Sequence, residues 1–164
     1  MGLGYIGLPT AIIAAKHGVD VIGVDVNADV VDVTNSGKLH IVEEGLEELL
    51  QEAIASGNFK AYTKPQEADA FFIVVPTPFK GNHEPDTSFV ADATMMVLPY
   101  MKEGDLYVIE STSPVGTTEK MAELIYEHRP DLKGKIYIGI FQNMRLKHLS
   151  MQQQKVRKTD LIKS

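Results

Sequence analysis

The chain has 164 residues, a formal net charge of −6 and no cysteine, which leaves room for one domain and excludes disulfides, thiolate metal sites and a cysteine nucleophile within this sequence. Hydrophobic residues make up 44% and charged residues 23%; this is a globular balance, and no apolar run reaches the roughly 18 residues a membrane span needs. Six Lys/Arg against one acid, Asp160, between Gln142 and Ser164 make the end of the chain basic and the rest strongly acidic.

The chain opens on MGLGYIGLPTA. Gly2, Gly4 and Gly7 give the G-x-G-x-x-G spacing of a phosphate-binding turn that leads out of a first β-strand into a helix. The helix is expected over LPTAIIAAKHG, with Gly18 as its stop. A buried β-branched strand follows from Val19 to Asp25, then a short helix in NADVVDVTNSG. A second helix, EGLEELLQEAIASG, carries Leu46, Leu49, Leu50 and Ile54 on one face and stops at Gly57. FKAYT reads as a short strand, and Ala70 to Val75 as a strongly buried one halted by Pro76 and Pro78. After a polar loop, FKGNHEPDTS, a helix is expected from Phe89 to Tyr100, a strand from Leu106 to Glu110, a helix over TTEKMAELIYEH and a last strand in KIYIGIF. Strands alternating with helices predict an α/β fold, a doubly wound Rossmann-type parallel sheet, lacking its first strand because only Met1 precedes the glycine turn.

Polar residues gather where the predicted strands end: Asp25, Thr77, Ser111, Thr112 and Ser113. Ligands of such sheets bind outside those ends. In the glycine turn, Gly2 permits the tight bend, Gly4 lets a pyrophosphate approach the backbone and Gly7 lets the helix pack closely. The helix N-terminus then offers free N–H groups to an anion. Asp25, 18 positions after Gly7, is placed to accept hydrogen bonds from an adenosine ribose and to repel a 2′-phosphate, which predicts NAD rather than NADP. The alternative is that Asp25 caps the next helix, with Asn27 competing for that place. The histidines at 17, 40, 83, 128 and 148 show no metal-ligand spacing, so no metal is expected. His83 and Glu84 resemble an acid/base pair, but beside Pro85 they read as loop and helix-entry chemistry. The basic tail has no aromatic residue to stack on bases, so neither nucleic acid nor a membrane is expected as a partner.

The stretches GLGYIGLPTA, VIGVDVN, VPTPFKGNHEPD and ESTSPVGTTEKMAE, in that order, resemble the UDP-glucose/GDP-mannose dehydrogenase family, which oxidises the C6 alcohol of a nucleotide-sugar to a carboxylate. GKLHIVEEGLEELL is similar to the branch acting on UDP-N-acetyl-D-mannosamine, with Glu44 where a proline is usual. The resemblance implies an N-terminal NAD domain with Tyr5 and Ile6 on the pyrophosphate turn and Asp25 on the ribose. It puts Thr77 near the cofactor, Thr112 and Thr118 toward the nicotinamide, and Thr112 beside the reacting carbon as an auxiliary catalytic group. Thr77 starting a turn, or Thr118 capping a helix, are the plainer uses. The same resemblance implies two successive hydride transfers to NAD through a cysteine thiohemiacetal and thioester, homo-oligomers and a cytoplasmic setting. Because this sequence has no cysteine, the expectation is an NAD-binding part that is inactive alone, meeting a UDP-sugar only when completed by further domains. A non-catalytic nucleotide-binding or subunit-interaction module is the alternative.

Two further expectations concern the ends of the chain. The domain is expected over 1–140, with 141–164 a basic tail outside the family pattern. Ile140, Gln142 and Asn143 spell what a Y-x-P-E codon run gives when read one base late, so a frameshift is expected near residue 140. At the other end, a parallel order with its central strand missing would expose two inner sheet edges and leave a marginally stable, aggregation-prone fold.

Overall fold

The computed structural model describes residues 1–79, 81, 85–110 and 112–141. Its elements run α1 (Gly7–Lys16), β1 (Val21–Val24), α2 (Ala28–Asn35), α3 (Leu46–Ala55), β2 (Phe59–Tyr62), β3 (Ala70–Ile73), α4 (Ser88–Val97), β4 (Leu106–Ile109), α5 (Thr117–His128) and β5 (Tyr137–Ile140). All strand pairings among these elements are parallel: β1 with β2, and β3 with β4 and β4 with β5. The ladder is broken into two sheets, β1-β2 and β3-β4-β5. Right-handed crossovers that run in opposite directions from that break put α1 and α3 on one face and α4 and α5 on the other. Two core clusters result. Leu8, Ile12, Leu46, Leu50 and Phe59 fill one, and Ile73, Val90, Tyr107, Ile109 and Ile125 the other.

The elements are shorter than the sequence predicts. Val19 lies outside β1 because its amide bonds to the Ala14 carbonyl (3.2 Å), closing the end of α1. The helix expected to reach Tyr100 leaves α-geometry at Val97 and finishes as a 3₁₀ turn, Leu98–Tyr100, since Pro99 has no N–H for an α-helical bond. In α2 the contest for the cap is decided: Asn27 holds that position, and its side chain accepts from the Asp29 amide. The outer edge of β2 is closed by Asn35, which gives a hydrogen bond to the Ala61 carbonyl and takes one from the Ala61 amide, both at 2.9 Å. Deep in the second core, Thr94 Oγ1 meets Tyr107 OH at 2.6 Å and the Val90 carbonyl at 2.6 Å. Burial pushes the Tyr107 phenol up to about 12, partly opposed by that Thr94 hydrogen bond.

The residues ahead of α1 belong to no named strand, yet they do not hang free. The Met1 ammonium donates to the Phe72 carbonyl (2.8 Å), the Val74 amide donates to the Met1 carbonyl (2.8 Å), and the Gly2 amide donates to the Val24 carbonyl (2.7 Å). Met1–Leu3 is thus a short rung between the two sheets, on the level of the C-terminal ends of β1 and β3. Below it the inner edges of β1 and β3 face each other across a cavity of about 300 Å³. His83, Glu84, Ser111 and the whole stretch from Gln142, with the frameshift reading, lie outside the described residues.

Candidate functional site

The site is built on the glycine turn. Gly2 has φ +92°, a left-handed conformation that side chains rarely tolerate, and a Cβ there would strike the Val74 carbonyl. A Cβ at Gly7 would strike the Gly2 carbonyl, so the helix start is pressed directly onto the turn. Gly4 is different: nothing lies within 4 Å of where its Cβ would be, and the backbone is open to a ligand on that side. Ile6 stands at the N-cap of α1 with no side-chain cap, and the first turn holds no acid. Uncapped N–H groups and an unobstructed glycine are what a pyrophosphate requires, so the residues present fit a dinucleotide. Tyr5 and Ile6 project from this turn with 68% and 42% of their surface exposed, a largely apolar rim beside the helix start.

Asp25 follows β1 and faces the turn. Its Oδ2 accepts from the Leu3 amide (2.9 Å) and its Oδ1 from the Asn27 amide (3.0 Å). One carboxylate therefore ties the glycine turn to the end of β1. Each oxygen keeps a lone pair for a further donor, such as a ribose hydroxyl. Because Asn27 does the capping, Asp25 remains available for a ligand.

On the other side of the break, the predicted threonines divide. Thr77, after β3, and Thr112, after β4, come together: Thr77 Oγ1 lies 3.2 Å from Thr112 Oγ1 and donates to the Thr112 carbonyl at 3.3 Å. Both loops leave the C-terminal ends of adjacent parallel strands, where the ladder Ile73 opposite Ile109 sets their spacing. Thr118 is not part of that contact. It sits half-buried in the first turn of α5, and the cap position belongs to Gly116, so the capping use of Thr118 does not hold. The hydroxyl that folds back there is Thr117 Oγ1, donating to the Pro114 carbonyl at 2.7 Å.

Two residues that sequence reasoning missed join the halves. Thr10 Oγ1, in the first turns of α1, donates to Glu110 Oε1 (3.2 Å), just past β4. Glu110 is buried, and its Oε2 has no hydrogen-bond partner among the described residues. Burial holds its pKa above the usual carboxylate range, opposed by the Thr10 hydrogen bond and by the Met1 ammonium. That ammonium is itself pushed down to about 6 by burial, against the attraction of Asp25 and Glu110. The available signal was an acid at the end of an otherwise apolar run, LYVIE, where a charge needs a partner. No group of acids and histidines among the described residues could hold a metal, and no helix there is long and apolar enough to cross a membrane.

Residues 1–148 match the model of the UDP-glucose/GDP-mannose dehydrogenase family, NAD binding domain. The chain is 56% identical over 132 residues to the UDP-N-acetyl-D-mannosamine dehydrogenase of Yersinia pestis, covering 80% of this chain and 31% of that protein. It is 50% identical over 149 residues to the Campylobacter jejuni enzyme of the same name, covering 90% and 37%. Among solved structures, the UDP-N-acetyl-mannosamine dehydrogenase of Staphylococcus aureus superposes with a TM-score of 0.79 at 40% identity, over 86% of this chain and 34% of that one. The GDP-mannose dehydrogenase of Pseudomonas aeruginosa gives 0.78 at 31%, over 87% and 35%. The chain thus spans about a third of the length of the relatives it matches. With its Rossmann-type α/β fold, uncapped glycine turn and an aspartate placed at the end of β1, it belongs to the UDP-glucose/GDP-mannose dehydrogenase family as an NAD-binding domain.

Proposed function

We propose that this chain is the NAD-binding part of a cytoplasmic dehydrogenase that oxidises UDP-N-acetylmannosamine to UDP-N-acetylmannosaminuronate. The observation that carries the reading is the pairing of an open glycine turn, braced by Asp25, with the Thr77–Thr112 contact at adjacent strand ends. The names of relatives at 50–56% identity supply the substrate. In this reading the amides from Gly4 to Gly7 hold the pyrophosphate, Tyr5 and Ile6 flank it, and Asp25 binds the adenosine ribose. Thr77, Thr112 and Thr118 line the way to the nicotinamide, with Thr112 also orienting water near the reacting carbon. Bound NAD would supply the hydride acceptor. The chain has no cysteine, so the covalent part of the reaction falls to residues outside it, and the chain alone is inactive. A homo-oligomer completes the reading.

Two measurements test it. Calorimetric titration should show NAD binding with NADP at least tenfold weaker. Mixing the chain with the remaining two thirds of a close relative, expressed separately, should then yield NADH only when UDP-N-acetylmannosamine is present. Binding without NADH from any UDP-sugar would turn the assignment to a non-catalytic nucleotide-binding module. Equal affinity for NADP would overturn the role of Asp25.

A further inference from the structure

We propose that Glu110, held by the Thr10 hydroxyl, is a positioning residue that sets the pyrophosphate turn and the Thr77–Thr112 pair at one fixed spacing, so that both halves of a dinucleotide bind at once. This rests on the NAD reading of the site given above. The two ends of that site belong to different cores. The start of α1 packs through Leu8 and Ile12 into the cluster that holds Leu50 of α3 and Phe59 of β2, whereas β3 and β4 pack through Ile73, Tyr107 and Ile109 into the cluster of α4 and α5. A dinucleotide that reaches from one end to the other needs the two cores aligned, since a displacement of about 1 Å is enough to spoil a set of oriented contacts.

Glu110 ties the two cores together. Its main chain belongs to the second: the Glu110 amide donates to the Ile73 carbonyl at 2.9 Å and so continues the ladder of β3 and β4. Its side chain reaches the first, where Oε1 accepts from Thr10 Oγ1 at 3.2 Å. Thr10 is the fourth residue of α1, about 4.5 Å along the helix axis from Gly7. Thr112 follows Glu110 by two residues, about 7 Å of extended chain. The bond therefore stands within one helical turn of the anion end and two residues from the threonine end. Ile73 closes the frame, because Thr77 follows it by four residues and meets both the hydroxyl and the carbonyl of Thr112. A carboxylate is a costly group to bury, and Glu110 is 3% exposed with no hydrogen-bond partner for Oε2 among the described residues. An apolar side chain would join the cores without that cost but would leave their offset loosely set. A hydrogen bond fixes both a distance and a direction, so the effect of Glu110 lies in alignment and not in net stability.

The test compares two ligands on the intact chain by calorimetric titration: NAD, which engages both ends, and ADP-ribose, which carries the adenosine and the pyrophosphate but no nicotinamide. Thr10→Val keeps the side-chain shape and removes the hydroxyl, and Glu110→Ala removes the acceptor. Each should lower the ratio of NAD affinity to ADP-ribose affinity about fivefold, the size of one hydrogen bond, while ADP-ribose itself stays within about twofold of the wild type. Thr10→Ser keeps the hydroxyl and should restore the wild-type ratio, and the Thr10→Val/Glu110→Ala double variant should lose no more than either single one. Should Glu110→Ala fail to fold, Thr10→Val and Thr10→Ser decide by themselves. Equal losses for both ligands, the mark of a merely structural contact, would overturn the proposal, as would an unchanged ratio or a Thr10→Ser variant that behaves as Thr10→Val does. A wild-type chain without affinity for NAD would instead refute the NAD reading itself, and this proposal with it.

Discussion

Replacing Asp25 by Asn keeps the shape of the side chain and removes one of its two acceptors. Asp25 now takes the Leu3 amide on Oδ2 at 2.9 Å and the Asn27 amide on Oδ1 at 3.0 Å. An asparagine has one oxygen, so its NH₂ must face one of those N–H groups. Leu3 is buried and Asn27 is exposed, so the oxygen turns to Leu3 and water serves Asn27. The stability cost is therefore at the low end of the unsatisfied-donor range, about 1 kcal/mol. Asp25→Ala strands the Leu3 amide as well and costs about 2–3 kcal/mol. Binding responds differently. A charge-assisted hydrogen bond to a ribose hydroxyl contributes about 1.5–3 kcal/mol, so Asp25→Asn should weaken NAD about 10- to 150-fold while moving the urea midpoint only slightly. It should also narrow the gap between NAD and NADP, because the charge that repels a 2′-phosphate is gone. Urea denaturation and calorimetric titration of the same preparations measure both effects. An Asp25→Asn variant that binds NAD within twofold of the wild type would refute the ribose role and leave Asp25 as a brace for the turn alone.

Gly7→Ala and Gly4→Ala should separate fold from binding: the first drives a Cβ onto the Gly2 carbonyl and costs about 1–3 kcal/mol, whereas the second meets open space, keeps the urea midpoint and weakens NAD; equal midpoints for both would sink the distinction. Thr94→Val leaves the Tyr107 hydroxyl buried without its partner and should cost about 1–3 kcal/mol, with the Thr94→Val/Tyr107→Phe double variant losing less than the two single losses together; strict additivity in a thermal or urea melt would contradict the pair. Glu110 has a folded pKa above its unfolded value, so its contribution is present below the unfolded pKa of about 4.3 and is lost as pH rises through the folded pKa. Stability of the wild type relative to Glu110→Gln should therefore fall across that window in urea melts at successive pH values, and a parallel pair of profiles would show that Glu110 is not held above its usual range.

The sequence by itself determined the elements that depend on near neighbours. The run of β-branched residues at Val21–Val24, the apolar face of Leu46 and Leu50, and the proline after Val75 are local signals, and each element lies within two or three residues of its expected place. The glycine turn was legible for the same reason, since three positions in six residues set its shape. Boundaries were missed where a bond from outside the element ended it, as at Val19, or where Pro99 converted the last helical turn.

Only the tertiary structure decided what those elements bring together. Thr77 and Thr112 are 35 residues apart and Thr10 and Glu110 are 100 apart, and no periodicity in the chain encodes either contact. They exist because parallel strands in register put the loops after β3 and β4 side by side, and because α1 crosses the level where β4 ends. The sequence also left open whether Asp25 or Asn27 caps α2, a question of side-chain geometry that either residue type can satisfy. The fold answers it by giving Asn27 the cap and Asp25 the Leu3 amide.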